Sequence, residues 1–94
     1  MKIRWLEDSI EDLTALRQYI AQENPAAARR VAKKIIRSVN LLLDQPGIGR
    51  AGRVPNSREL VVTGTPFLVP YRIKNNTIEI LRVMHSAMRW PEEF

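Results

Sequence analysis

The sequence predicts an α+β domain, a two-helix hairpin packed on a small, mainly antiparallel sheet in the order β-α-α-β-β-β. Three observations carry that prediction. Residues 9–43 repeat apolar side chains at three- and four-residue steps, interrupted once at Asn24-Pro25. Residues 58–84 are rich in β-branched and apolar residues and are punctuated by Gly64-Thr65-Pro66 and Asn75-Asn76. The 94 residues suit one domain, 1–94, with one core.

Lys2 to Leu6 reads as a short strand with Ile3 and Trp5 on one face. A helix should start at Asp8 or Ser9. Ser9 and Asp12 approximate a capping box, and acids crowd the first turn, where the helix dipole favours them. Ile10, Leu13, Leu16, Tyr19 and Ile20 form its apolar stripe. Asn24 is a suitable N-cap for a second helix and Pro25 suits its first position. That helix is predicted from about Pro25 to Leu43, with Ala28, Val31, Ala32, Ile35, Val39 and Leu42 facing the core. The short link makes the two helices antiparallel neighbours.

Gln45 to Ser57 holds three of the four glycines and two of the six prolines, so it reads as a loop. It lacks the Gly-Lys-Ser/Thr of a phosphate-binding loop. Arg50 and Arg53, with Arg58 just beyond, are its candidate binding residues. Strands follow at Arg58–Thr63, Phe67–Ile73 and Thr77–Met84. Pro70 has no N–H for a ladder and predicts a bulge or an unpaired edge. Asn75-Asn76 tolerates positive φ and predicts a tight hairpin. Thr77–Met84 has apolar residues on both faces, and no third helix remains to cover the second one. Either an exposed apolar groove awaits a partner, or the loop and tail cover it.

Absence of cysteine excludes disulfides, thiol catalysis and Cys-ligated zinc. One histidine and scattered carboxylates do not make a metal site, and no cofactor motif is present. No apolar run approaches the ~20 residues of a membrane span, and the first residues lack an apolar leader core. A cytoplasmic protein is expected. Net charge is +5, and twelve Lys/Arg against three acids lie between Asn24 and Pro91. That excess suits a nucleic acid, a nucleoprotein machine or an acidic protein partner. The second helix carries Arg29, Arg30, Lys33, Lys34 and Arg37 without any acid, either as a solvated face or as a contact face.

The chain end concentrates polar chemistry. Arg82, His85 and Arg89 could bind and protonate a phosphodiester, because guanidinium forks hold phosphate and imidazole moves protons. Alternatively, His85 packs at a strand end, and Trp90 clasps the core rather than stacking on a base.

These residues resemble the ParE branch of the RelE/ParE toxins, the toxic halves of bacterial type II toxin–antitoxin modules. The resemblance covers nearly the whole chain. It rests on Trp5 before an acidic helix, Asn24-Pro25-Ala26-Ala27, and Gly49-Arg50 with Gly52-Arg53-Val54-Pro55. It continues in Arg58-Glu59-Leu60, Pro66-Phe67-Leu68-Val69-Pro70-Tyr71-Arg72, Ile80-Leu81-Arg82-Val83-Met84-His85 and Trp90-Pro91. It implies a small toxin neutralised in a hetero-oligomer by a ParD-like or similar antitoxin that wraps it through apolar contacts. Leu13, Leu16, Ile20, Val61, Phe67, Val69 and Tyr71 would then meet the antitoxin.

ParE-like members poison DNA gyrase, whereas RelE-like members cut mRNA in the ribosomal A site. A gyrase-binding surface would draw on Arg58, Arg72, Arg82, His85, Arg89 and Trp90, or on the basic helix. A nuclease would use Arg72, Arg82 and His85. Nuclease relatives often carry Arg or Lys where this chain has Phe67 and Leu68, and a C-terminal Tyr that is missing after Trp90. A common ParE form has Arg three residues after His, where this chain has Met88 and then Arg89. The resemblance therefore implies a gyrase poison, with a ribosome-dependent endoribonuclease as the alternative.

Overall fold

The apolar stripe of residues 28–42 seats the helices on the sheet. In the computed structural model, which describes residues 1–94, Ala28, Ala32, Ile35, Val39 and Leu42 are all buried. Helix α2 (Pro25–Asn40) begins as predicted, with Asn24 Oδ1 accepting the Ala27 N–H at 3.0 Å and Pro25 in the first turn. It ends at Asn40 and tightens into a 3₁₀ turn, Leu41–Leu43. Its far side aligns Arg29–Lys33, Arg30–Lys34 and Lys33–Arg37 as like-charge neighbours one turn apart. Each such pair opposes the helix by about 0.2–0.5 kcal/mol, so cap and core contacts must offset them.

The first helix departs from its predicted start. Helix α1 (Glu7–Ala21) has Leu6 at its N-cap and no side-chain cap. The expected capping box is absent, because Ser9 and Asp12 are used elsewhere. Buried Ser9 Oγ donates to the Leu6 carbonyl at 2.6 Å, and Asp12 faces the sheet. Of the predicted stripe, Leu13 and Leu16 pack against the core, whereas Ile10 and Tyr19 stand in solvent.

The strands are β1 (Lys2–Trp5), β2 (Arg50–Ala51), β3 (Arg58–Val61), β4 (Phe67–Lys74), β5 (Thr77–Ile80) and β6 (Met84–His85). Their order is β1-β5-β4-β3-β2, with β6 also on β4. β1 runs parallel to β5, and the other pairs are antiparallel. The short β2 lies within the segment predicted as loop. Asn75 and Asn76 take φ of 51° and 58° in the β4–β5 hairpin, the backbone their side chains tolerate best after glycine.

The predicted strand Thr77–Met84 is not continuous. β4 pairs Tyr71 with Ile80 but Leu68 with Met84, so three steps on β4 face four on the β5–β6 segment. That extra residue is a bulge, and Pro70 sits beside it. The Pro70 carbonyl accepts Leu81 N–H at 2.9 Å. Carbonyl and N–H of one strand residue point the same way, so the N–H that proline lacks falls where the ladder is already broken. Of the two positions its chemistry allowed, the bulge is realised; β4 is an inner strand and Pro70 is buried.

Leu60, Val62, Val69, Tyr71, Ile78 and Ile80 meet the α2 stripe in one core. Tyr71 is wholly buried, and its hydroxyl pins the loop by donating to Pro46 O at 2.7 Å and accepting Gly49 N–H at 2.9 Å. Burial holds that phenol above its usual range, so it stays neutral and keeps its donor. Gly49 is required there, since an added Cβ would lie 2.6 Å from the Tyr71 ring.

On the opposite sheet face the second of the two alternatives holds, cover by the loop and tail. That face is not an apolar groove. Register places Arg4, Glu79 and Arg72 side by side, with Glu59 and Arg50 further along. Loop residues Val54–Ser57 and tail residues Glu92–Phe94 line one cleft with Arg72 and Leu81, so loop and tail lie against this face.

Candidate interaction surfaces flanking the bulge

Three carboxylates organise the polar side chains. Asp12 reaches from α1 to the bulge. It accepts Arg82 Nε at 2.7 Å, Arg82 Nη2 at 3.1 Å and Val83 N–H at 2.9 Å. The Asp12 bond is the main reason the Arg82 guanidinium is held above its usual range. Glu79 accepts Arg72 Nε at 2.6 Å, with Arg4 3.8 Å away. Those neighbours, Arg72 first, outweigh burial and depress its pKa. Glu59 is buried and takes Arg50 Nη2 at 3.1 Å, Arg53 Nε at 3.1 Å and Arg53 N–H at 2.8 Å. Burial pushes its carboxyl up, but the Arg53 and Arg50 hydrogen bonds together bring it below the usual range.

Glu59 and Glu79 are both depressed in the folded state. Their contribution is complete above the unfolded carboxylate pKa of about 4.3 and is lost as pH falls through the lower folded values. Thermal unfolding between about pH 7 and pH 3 should show a falling midpoint below about pH 4.5. Glu59→Gln should flatten that fall and lower the midpoint at neutral pH. An unchanged slope in the variant would remove Glu59 from the acid response.

The residues considered for target binding are dispersed. Arg58 Nη1 donates to Gly49 O at 2.9 Å and supports the loop. Arg72 and Arg82 line one cleft with Leu81, Pro91 and Phe94, each paired with its carboxylate. His85 lies in a different groove. Its ring meets Phe67 edge-on, with centroids 5.6 Å apart, and its Nδ1 accepts Ala87 N–H at 3.0 Å. Trp90 lies under the Arg53 guanidinium, 3.8 Å from ring centroid to Cζ, and its buried Nε1 has no partner. Arg89 is exposed.

The residues considered for antitoxin contact divide too. Val69 and Tyr71 are sealed in the core. Val61 is exposed on the sheet, and Leu13 packs inward. Leu16, Ile20 and Phe67 come together in an open groove of ≈ 470 Å³, mostly apolar, between α1, Val31 of α2 and the β6 end. Val83, His85 and Met88 also line it, with Asp12, Ala15 and Pro66, and Tyr19 stands 76% exposed on its rim. Sequence reasoning placed Tyr19 on the helix stripe. Its register with Leu16 and Ile20 was the available signal for a surface role.

Known proteins resemble this chain in sequence and in fold. A family model described as the ParE toxin of the type II toxin–antitoxin system parDE matches residues 3–90. The chain is 40% identical over 91 residues to a putative toxin, Y4kP, of Sinorhizobium fredii, covering 97% of this chain and 94% of that protein. It is 34% identical over 86 residues to toxin RelE2 of Caulobacter vibrioides, covering 92% and 96%. A solved chain of the chromosomal ParDE system from P. aeruginosa superposes with a TM-score of 0.81 at 31% identity, covering 90% of this chain and 95% of that one.

Proposed function

The chain belongs to the ParE family of toxins of type II toxin–antitoxin systems, and from that premise we propose that it stops growth by binding DNA gyrase, not by cutting RNA. One observation carries the choice. Arg72 and Arg82 share a cleft in which each guanidinium is held by an internal carboxylate, while His85 faces a different groove. A phosphodiester cut needs its acid or base and its charge-stabilising cations around one phosphate. A binding poison needs only a rigid surface. Exposed Arg89 is the group at the chain end that remains free for a target.

An antitoxin would cover the Leu16–Ile20–Phe67 groove, in a hetero-oligomer within the cytoplasm. The groove is mostly apolar and flanked by an exposed tyrosine, the features an amphipathic segment uses for docking. No helix of the chain is long and apolar enough to cross a membrane.

DNA supercoiling by purified gyrase tests the target. Added toxin should abolish supercoiling and accumulate cleaved DNA, and excess antitoxin should reverse both. His85→Gln should keep most of that effect. Intact supercoiling, with mRNA cut on ribosomes and that cutting lost in His85→Gln, would overturn the gyrase reading in favour of the nuclease.

A further inference from the structure

We propose that the outward face of α2 binds the phosphate backbone of duplex DNA, independently of sequence. The face consists of Arg29, Arg30, Lys33, Lys34 and Arg37, all exposed. None is in an ion pair; the chain's salt bridges use Arg4, Arg50, Arg53, Arg72 and Arg82 instead. At about 100° per residue the five cations occupy a sector roughly 140° wide, centred opposite Ala28, Ala32, Ile35 and Val39. They extend about 12 Å along the helix. Arg29 also lines a shallow cleft with Arg17, Thr14 and Gln18 of α1, which adds a sixth cation and two neutral hydrogen-bonding side chains.

The chemistry of this face selects the occupant. Such side chains hold phosphate oxygens and fix a protein on a duplex. A protein partner would favour an apolar or aromatic anchor at the centre of its contact, and the apolar residues near these cations, Ala26, Ile36 and Leu41, lie at the ends or the edge of the face rather than at its centre. An exposed helix about 10–12 Å across matches a B-form major groove about 12 Å wide, with phosphates along both walls; the A-form groove of RNA is too narrow. The like-charge neighbours disfavour the helix in isolation, and an anionic partner relieves that repulsion.

The test uses the full chain and a fluorescein-labelled DNA duplex of about 20 bp with scrambled sequence, read by anisotropy. Five or six phosphate contacts predict a slope of log affinity against log salt of about −4.5 to −5.5, a loss of roughly 500- to 2,000-fold between about 50 and 200 mM. A second scrambled duplex should bind equally well. The variant Arg30→Gln, Lys33→Gln, Lys34→Gln, Arg37→Gln should lose affinity about 100-fold or more at low salt and flatten the slope to about −1. Its thermal midpoint should be no lower than that of the parent, because all four side chains are exposed. Three results would overturn the assignment: no binding at about 50 mM salt, equal binding by the variant, or tighter binding of an A-form RNA duplex or of polyglutamate. The assay contains no gyrase, so this proposal and the gyrase reading can fail separately.

Discussion

Asp12→Ala should unfold the domain more readily than any other single change to a surface carboxylate, by about 3 kcal/mol. The substitution removes the acceptor of three hydrogen bonds and leaves two groups without partners, the Arg82 guanidinium and the Val83 N–H. Hydrogen bonds to charged groups contribute about 1.5–3 kcal/mol, and an orphaned buried donor costs about 1–3. The Arg82 side chain is 26% exposed, so it can turn partly to water, which limits the loss. For a domain of this length the thermal midpoint should fall by roughly 15 °C. Asp12→Asn keeps an oxygen for Val83 N–H and should lose about half as much. Glu11→Ala, one residue away and exposed, should stay within about 0.5 kcal/mol. If Asp12→Ala and Glu11→Ala melt together, the bridge contributes nothing and α1 is held by apolar contacts alone.

That same bridge shows where sequence reading stops. Periodicity located both helices, turn chemistry located the Asn75-Asn76 hairpin, and the missing N–H of Pro70 narrowed its site to a bulge or an unpaired edge, because those signals act between residues close in the chain. Asp12 and Arg82 are seventy positions apart, and local pattern assigned each a local role, a helix cap and a ligand for phosphate. Val69 and Tyr71 stood among the residues expected to meet the antitoxin, yet the loop and α2 close over them. Glu59 looked like an ordinary strand acid, and its two arginine partners looked like free loop cations. The run of acids at the start of α1, Glu7, Asp8, Glu11 and Asp12, concealed that Asp12 faces inward. Charge pairing across the fold was invisible for a physical reason: it depends on the bulge register, which the composition of Thr77–Met84 does not encode.

Tyr19→Glu should leave folding unchanged and cut affinity for the antitoxin about 30- to 1,000-fold, equivalent to about 2–4 kcal/mol. At 76% exposure, Tyr19 contributes little to the folded core, so its replacement by another good helix former should shift stability by less than about 0.5 kcal/mol. On the groove rim it is different. Leu16, Ile20, Val31, Phe67 and Val83 form an apolar floor, and a partner segment laid there would take Tyr19 out of water. Tyrosine is favoured at such positions because a rigid ring adds apolar area while its hydroxyl stays hydrated. Glutamate would bring a charge to the same place without the area, and burying an unpaired carboxylate is unfavourable. The consequence in cells is specific: the variant should remain toxic while co-expressed antitoxin no longer restores growth. Thermal melting of the free protein, matched to the parent, separates this outcome from misfolding. If the antitoxin still rescues the variant fully, the groove is not the neutralising surface, and exposed Val61 on the sheet becomes the next place to substitute.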